Sequence, residues 1–315
     1  MRIRHLGAAG LACFAALNAV AYRHALAMTH YGPASLTRTG KPDQLGWSEK
    51  AKVLVLGVTV PRPVAKRTPA DLGLTFETVR LASRDGTKLE AWRIPLPKSR
   101  GVAVMLHGYA AEKSTMLGEA AVLREFGYES LLLDFRGSGG SGGDDTTVGW
   151  LEAEDAAAAI EFARKTAPGK TVLVYAKSMG AASALRAAGV LGAAPDAMIL
   201  EAPFDTLIRT TQRRFKMMQL PPWPFTSLLL YWGGWRAGFS PDAHQPMLYA
   251  KGVPCPTLIF QGGKDRYVLV EDAERIAANL PRGRLVVFPE SGHGELARSA
   301  PEEWRRELTS FLKAL

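Results

Sequence analysis

The sequence predicts an α/β fold with a mostly parallel central sheet flanked by helices. From residue 72 onward, apolar runs of strand length alternate with amphipathic stretches of helical length, a pattern typical of parallel sheets covered by helices. The predicted strands are residues 75–81, 88–94, 102–106, 130–134, 171–175, 197–200, 257–260 and 284–288. The predicted helices are residues 116–126, 149–165, 179–188, 270–280 and 301–314. The tight-turn sequence Arg84-Asp85-Gly86-Thr87 indicates that the first two strands pair antiparallel.

The composition argues against a disulfide framework, a metal site and a dinucleotide-binding site. With 315 residues and 47% hydrophobic residues, the chain can bury a full three-layer core. Two cysteines, Cys13 and Cys255, form no disulfide framework, and six scattered histidines form no metal-ligand cluster. A G-x-G-x-x-G match begins at Gly137, but Asp144 and Asp145 follow where a pyrophosphate would bind. We therefore read it as a glycine-rich turn and expect neither a cofactor nor a metal.

The N-terminal 27 residues predict a membrane anchor or signal sequence. Arg2 and Arg4 precede an apolar run over residues 6–22. The alternative is a buried N-terminal helix. Residues 1–70 hold 10 lysines and arginines against 2 acidic residues, so +8 of the total charge of +9 lies near this run. That placement favours membrane lipid over nucleic acid as a partner. Arg2 and Arg4 on one side of the run face Arg23 and His24 on the other, and we favour an N-terminus inside, with the catalytic domain on the extracytoplasmic side.

A candidate nucleophile lies between a strand and a helix. Ala176-Lys177-Ser178-Met179-Gly180 directly follows an apolar strand and precedes an alanine-rich helix. A serine in such a sharp, strained turn requires small residues two positions before and after it, and Ala176 and Gly180 meet that requirement. The alternative is that Ser178 caps the helix.

Two further residues complete a triad in sequence order. Asp265 lies in a turn after the predicted strand 257–260, and His293 lies in a loop after the next strand. Because parallel strands end at the same edge of a sheet, we expect the three side chains to converge. Ser178 would act as nucleophile, His293 as general base and Asp265 as the orienting acid. The backbone N–H groups of Met179 and Tyr109 are the predicted oxyanion-hole donors.

These motifs together resemble the α/β-hydrolase superfamily, in particular its esterase/lipase branch with serine-aminopeptidase-like relatives. The resemblance covers residues 72–315 and rests on the Ser178, Asp265 and His293 segments, on His107-Gly108-Tyr109 and on the segment from Asp134 to Gly139. It implies a serine hydrolase that cleaves carboxylic esters, lipid-like acyl esters included, through an acyl-enzyme intermediate. Ala176 departs from the usual glycine, and Lys177 is a second departure. The alternatives are a serine peptidase or amidase of the same fold, or a non-catalytic scaffold.

The predicted organisation has three parts. An anchor or signal over residues 1–27 and a basic linker over residues 28–71 precede a catalytic domain over residues 72–315. Within it, residues 204–251 interrupt the alternation and read as an apolar lid insertion rich in Trp, Pro, Leu and Phe. This insertion holds five cationic side chains besides Lys251, against Asp205 and Asp242. An exopeptidase needs carboxylates to bind a free amino group, so the charge favours a small-molecule ester or acyl substrate.

Overall fold

A single eight-stranded sheet lies at the centre of the larger part of the chain in a computed structural model. The structure describes residues 2–40, 45–294 and 296–315, and it describes residues 2–8 by their backbone only. The strands are β1 (Glu77–Ala82), β2 (Lys88–Ile94), β3 (Gly101–Leu106), β4 (Tyr128–Leu133), β5 (Thr171–Lys177), β6 (Ala197–Glu201), β7 (Thr257–Gly262) and β8 (Gly283–Phe288). Their order in the sheet is β1-β2-β4-β3-β5-β6-β7-β8. β2 pairs antiparallel with β1 and β4, and the strands from β4 through β3 to β8 pair parallel. The predicted α/β fold and its antiparallel first hairpin are confirmed.

Helices cover both faces of this sheet. They are α3 (Leu117–Glu125), α4 (Glu152–Thr166), α5 (Met179–Gly189), α8 (Pro246–Tyr249), α9 (Val270–Ala277), α10 (Leu296–Ser299) and α11 (Pro301–Lys313). Helices α1 and α2 precede the sheet in the chain, α6 and α7 lie between β6 and α8, and all four are described below. One buried cluster joins the sheet to α4, α5 and α9, and another joins it to α3 and α11. Alanines supply much of the buried surface of α4 and α5, which allows these helices to approach the sheet closely. Strands β3 to β7 are buried along their whole lengths except at the two ends of β5, as expected for strands covered on both faces.

The chain divides into two compact units. The sheet domain comprises Arg62–Thr206 and Gln245–Leu315, and the helical unit comprises Met1–Pro61 and Leu207–His244. The helical unit contains α1 (Arg2–Thr29), α2 (Trp47–Leu56), α6 (Leu207–Met217) and α7 (Phe225–Ala237). Helix α2 lies inside the segment that the sequence predicts as a basic linker, and α6 and α7 lie inside the predicted insertion.

Helix α1 carries the apolar N-terminal run. Within the described residues, its stretch Ala9–Thr29 is long and apolar enough to cross a membrane. Residues 9–16 of α1 are exposed around the whole helix. The second half of α1 packs against α2 and α7, where Ala21 and Ala25 are buried.

Candidate active site

The three predicted triad residues lie at the carboxyl ends of β5, β7 and β8, and the structure brings them together. His293 Nε2 lies 3.2 Å from Ser178 Oγ, and His293 Nδ1 lies 2.6 Å from Asp265 Oδ2. An ionised carboxylate only accepts hydrogen bonds, so Nδ1 donates to Asp265 and Nε2 is left to accept from the Ser178 hydroxyl. This is the tautomer in which an imidazole can remove a proton from serine.

Ser178 occupies a strained turn between β5 and α5. Its backbone has φ +49° and ψ −111°, a conformation that residues other than glycine rarely adopt. A Cβ on Gly180 would lie 2.6 Å from the carbonyl oxygens of Leu106 and His107, so only glycine fits there. Although Ser178 occupies the cap position of α5, its side chain makes no capping hydrogen bond. The hydroxyl is therefore directed to His293. The helix-cap alternative requires a hydrogen bond from the Ser178 side chain to the start of α5, and that bond is not formed.

Asp265 is held rigidly behind the imidazole. Its Oδ1 accepts hydrogen bonds from the backbone N–H groups of Tyr267, at 2.8 Å, and Val268, at 3.0 Å. Gln261 Nε2 lies 3.4 Å from Oδ2, the oxygen that faces His293. Asp265 is buried, so its carboxylate cannot rotate away without losing these bonds. Such second contacts keep an orienting acid aligned.

The loop after β3, which carries Tyr109, is fixed at its start by His107. The His107 Nδ1 donates to Gly108 O at 2.8 Å, and Nε2 accepts from the backbone N–H of Phe135 at 3.1 Å. Burial lowers the pKa of His107, which agrees with the neutral ring that these two contacts require. A Cβ on Gly108 would lie 3.7 Å from Ser178 Cβ. The backbone of this loop therefore passes beside the serine.

The end of the same loop is fixed by a buried ion pair. Lys113 Nζ contacts Asp134, and the Asp134 carboxylate also accepts from the backbone N–H of Lys113 at 2.9 Å. Lys113 also lies 2.9 Å from Glu90. Met179 begins α5, so its N–H lies at a helix N-terminus. The amides of Tyr109, on a loop that is fixed at both ends, and of Met179, at the start of α5, remain the predicted oxyanion donors.

The glycine-rich turn after β4 is filled by the protein itself. A side chain on Gly139 would overlap the Asp134 carboxylate, and Gly140 N–H donates to Asp134 at 2.9 Å. Arg62 donates to the backbone carbonyl of Gly143 at 2.6 Å. These contacts occupy the donors and space that a dinucleotide would need. Among the residues whose side chains are described, no three His, Cys, Asp or Glu residues cluster as metal ligands.

A buried polar network beneath the serine turn could not be read from the sequence. Lys177 Nζ lies 2.5 Å from Glu119 Oε1 and 3.5 Å from Glu201 Oε2. Tyr175 donates to Glu201 Oε1, and Trp304 Nε1 lies 3.2 Å from the same oxygen. Burial raises the pKa of Glu201 and of Tyr175. Burial alone would lower the pKa of Lys177, but the Glu201 and Glu119 carboxylates outweigh it and raise that pKa.

Glu201 connects this network to the nucleophile. Its backbone oxygen accepts the N–H of Ser178 at 2.7 Å, while its side chain faces Lys177. A strained backbone persists only where the surrounding contacts over-determine it. The Lys177–Glu201 pair thus supports the turn from the adjacent strand β6.

The Lys177→Met variant is expected to lose about 3 kcal/mol of unfolding free energy, because it leaves two buried carboxylates without their cation. Chemical denaturation followed by circular dichroism measures this loss. The matched control is Lys264→Met, whose ion pair with Glu290 has both side chains more than half exposed, so the expected change is within about 0.5 kcal/mol. Equal losses in the two variants would contradict a structural role for the buried network.

Comparisons with known proteins agree with this architecture. The family model described as serine aminopeptidase, S33 matches residues 97–231. An uncharacterized protein of Mycobacterium tuberculosis is 29% identical over 79% of this chain and 82% of its own length. Among solved structures, an esterase of Pyrococcus furiosus is 28% identical and matches 81% of this chain and 98% of its own, with a TM-score of 0.66. An esterase of Exiguobacterium antarcticum is 25% identical and matches 75% of this chain and all of its own (100%), with a TM-score of 0.56. With its eight-stranded sheet and this similarity to solved esterases, the chain belongs to the α/β-hydrolase superfamily.

Proposed function

We propose that the chain is a serine hydrolase that cleaves small-molecule carboxylic esters through an acyl-enzyme intermediate. The observation that carries the proposal is the hydrogen-bonded series Ser178–His293–Asp265 on a strained strand-to-helix turn. A serine hydroxyl is a weak nucleophile until an adjacent base takes its proton. This series supplies the base and fixes its tautomer.

In the proposed reaction, His293 Nε2 takes the proton of Ser178 Oγ as that oxygen attacks the ester carbonyl carbon. The imidazolium that forms is stabilised by Asp265, which lies 2.6 Å from the other ring nitrogen. Tyr109 and Met179 would donate their backbone N–H groups to the oxyanion of the tetrahedral intermediate. His293 then gives its proton to the departing alkoxide, and the acyl group remains on Ser178.

Deacylation repeats these steps with water. His293 removes a proton from a water molecule that attacks the acyl carbon, and the proton returns to Ser178 Oγ as the carboxylic acid leaves. The site is thus restored with no net change in protonation. Both half-reactions use the same three side chains, so one substitution in the series is expected to slow both.

Esters are favoured over amides because the solved relatives described above are esterases. A serine peptidase is the second candidate because the matching family model is described as a serine aminopeptidase. The same triad serves both reactions, and the substrate pocket makes the difference.

A substrate panel tests the proposal. Nitrophenyl esters of graded acyl length are assayed beside aminoacyl amides, and a fluorophosphonate probe reports the activated serine. Labelling with ester turnover well above amide turnover is the expected result. Preferred cleavage of aminoacyl amides would establish the peptidase instead, and an unlabelled, inactive protein would favour the scaffold.

We further propose that α1 anchors the chain in a membrane, with the sheet domain on the extracytoplasmic side. The apolar run over residues 6–22 supports this proposal, because its 17 residues reach the lower limit of about 17 residues that a helix needs to span a bilayer's hydrocarbon core. Leu11 and Phe14 are 70% and 63% exposed with respect to the described residues, and a lipid environment removes that exposure. Protease added outside sealed right-side-out vesicles is expected to digest the sheet domain.

The double variant Leu11→Arg/Phe14→Arg tests the anchor. Each arginine near the centre of a spanning helix costs about 3 kcal/mol to insert, so the variant is expected to leave the carbonate-resistant membrane fraction. Turnover of a short-chain ester should persist, because the triad belongs to the sheet domain. The control is Leu36→Arg, which adds a charge at an exposed leucine outside the apolar run. Retention of the double variant in carbonate-washed membranes would refute the anchor.

A further inference from the structure

Four aromatic side chains gather where the apolar run of α1 ends. Tyr22, the last residue of the run, lies with its ring centroid 5.4 Å from that of Trp232 and 6.5 Å from that of Trp235 in α7. Trp232 in turn lies 5.2 Å from Tyr231 and 5.9 Å from Trp235. We call these four residues the aromatic cluster. A hydrogen bond of 3.2 Å from Trp232 Nε1 to Asn18 Oδ1 fixes α7 against α1 at the same level.

The polar boundary of α1 coincides with this cluster. Arg23 and His24 immediately follow Tyr22, and both contact the carboxyl end of α2. Arg23 Nε donates to Leu56 O at 2.9 Å, and His24 Nε2 lies 3.0 Å from Leu54 O. If α1 spans a bilayer, its hydrocarbon part ends here, and the aromatic cluster lies at the depth of the lipid headgroups. Trp and Tyr concentrate at that depth because their rings are apolar and their N–H and O–H groups are polar.

The cluster is exposed although it is apolar. Tyr231 is 61% exposed and Trp235 is 65% exposed, and Val55, near the end of α2, is also 65% exposed. Exposed apolar surface costs free energy in water, in proportion to its area. Large exposed patches of this kind are typical of membrane or protein contacts.

The distribution of charge identifies the partner. The helical unit contains 12 lysines and arginines against 3 acidic residues, a net charge of +9. The whole chain also has a net charge of +9, so the sheet domain carries no net charge. Each cation near an anionic membrane surface contributes about 1 kcal/mol of attraction. A cationic unit with an exposed aromatic cluster matches a bilayer that contains anionic lipid.

We propose that α7 is a second membrane contact: the aromatic cluster inserts into the headgroup region of an anionic bilayer beside α1. This inference rests on the proposed anchor and goes beyond it, because it assigns a role in lipid binding to α7, which lies in the insertion over residues 204–251. The helical unit is then held to the membrane by two elements of different kinds. Helix α1 spans the hydrocarbon, and α7 lies in the interface.

The chain's own cysteines provide the test. Cys13 is exposed within the apolar run of α1, whereas Cys255 is buried and burial raises its pKa to about 11. A thiol-reactive nitrobenzoxadiazole dye therefore labels Cys13 in the unchanged protein. In a Cys13→Ser background, the dye is placed at Trp235→Cys or at Tyr231→Cys. The control is Val190→Cys, an exposed apolar position in the sheet domain.

Each full-length protein is labelled in detergent and reconstituted into vesicles of phosphatidylcholine and phosphatidylglycerol, with or without nitroxide-labelled phosphatidylcholine as quencher. We expect blue-shifted emission and a loss of about half of the fluorescence or more at positions 13, 235 and 231, where the dye meets lipid. The dye at position 190 is expected to report water. Agreement between the labels at 231 and 235 guards against local disruption by either substitution.

Four other outcomes overturn the inference. Quenching at position 13 with water-like emission at 231 and 235 would leave the anchor intact and remove the second contact. Equal quenching at 190 and 235 would show non-specific adsorption. A blue shift at 235 without quenching, dependent on protein concentration, would show that a second copy of the chain covers the cluster. An unquenched label at position 13 would refute the anchor itself, and the inference with it.

Discussion

Replacing Ser178 with alanine is expected to lower ester turnover by about 10⁶-fold, the scale of loss when a triad serine is removed from a serine hydrolase. The variant loses the only oxygen that His293 Nε2 contacts within the triad, at 3.2 Å. Without that oxygen no acyl-enzyme forms, and fluorophosphonate labelling is expected to disappear as well. Turnover of a nitrophenyl ester and gel detection of the probe measure the two losses independently.

The same variant separates catalysis from helix capping. The Ser178 side chain makes no capping bond, so thermal stability is expected to stay nearly unchanged, whereas loss of a true cap costs about 1 kcal/mol. Ser183→Ala is the matched control, because that hydroxyl lies in the same helix and donates to Met179 O at 2.9 Å. It should keep labelling and turnover. Persistent labelling of Ser178→Ala would place the nucleophile elsewhere.

The serine turn was predictable because its requirements are local. Gly180 faces two backbone carbonyls at a distance that excludes any side chain, and such a steric demand appears in the sequence as a small residue at a fixed spacing. The positions of the strands along the chain also follow from local patterns, since each short apolar run between helices reads as one strand. Asp265 and His293 could also be selected from the sequence, because each follows a predicted strand.

The network around Lys177 was not predictable. Its members come from α3, β5, β6 and α11, so no spacing within the sequence connects them. Lys177 itself reads as an ordinary departure from the turn motif until Glu119 and Glu201 are seen beside it. Long-range buried pairs of this kind depend on tertiary packing alone.

Helix α7 was missed for a different reason. In α7, apolar side chains lie around the whole circumference, so the sequence has no 3.6-residue alternation from which to identify a helix. The prolines at positions 221, 222 and 224 strengthened the impression of an irregular segment. A helix that is apolar all round is typical of a membrane or a buried environment, which is consistent with the contact proposed for α7.

Asp265→Asn is expected to lower turnover by about 10⁴-fold while the fold is retained. The asparagine can keep the contacts of Oδ1 with the N–H groups of Tyr267 and Val268, so the turn should stay in place. If its amide nitrogen then faces His293, it donates where the carboxylate accepted, and the imidazole is driven to carry its proton on Nε2. That nitrogen can no longer accept the Ser178 proton, although every heavy atom of the triad is still present.

A second carboxylate, that of Asp205, provides the control for this assignment. Asp205 follows β6, where an orienting acid could also lie, but its Oδ2 accepts from Arg275 Nε at 2.6 Å. Asp205→Asn is therefore expected to lose stability through the weakened ion pair and to keep kcat close to that of the unchanged protein. Each variant replaces one carboxylate with an amide. A loss of turnover confined to Asp265→Asn would therefore be due to the contact between Asp265 and the His293 imidazole. A near-normal kcat in Asp265→Asn together with a large loss of kcat in Asp205→Asn would show that Asp205 is the orienting acid.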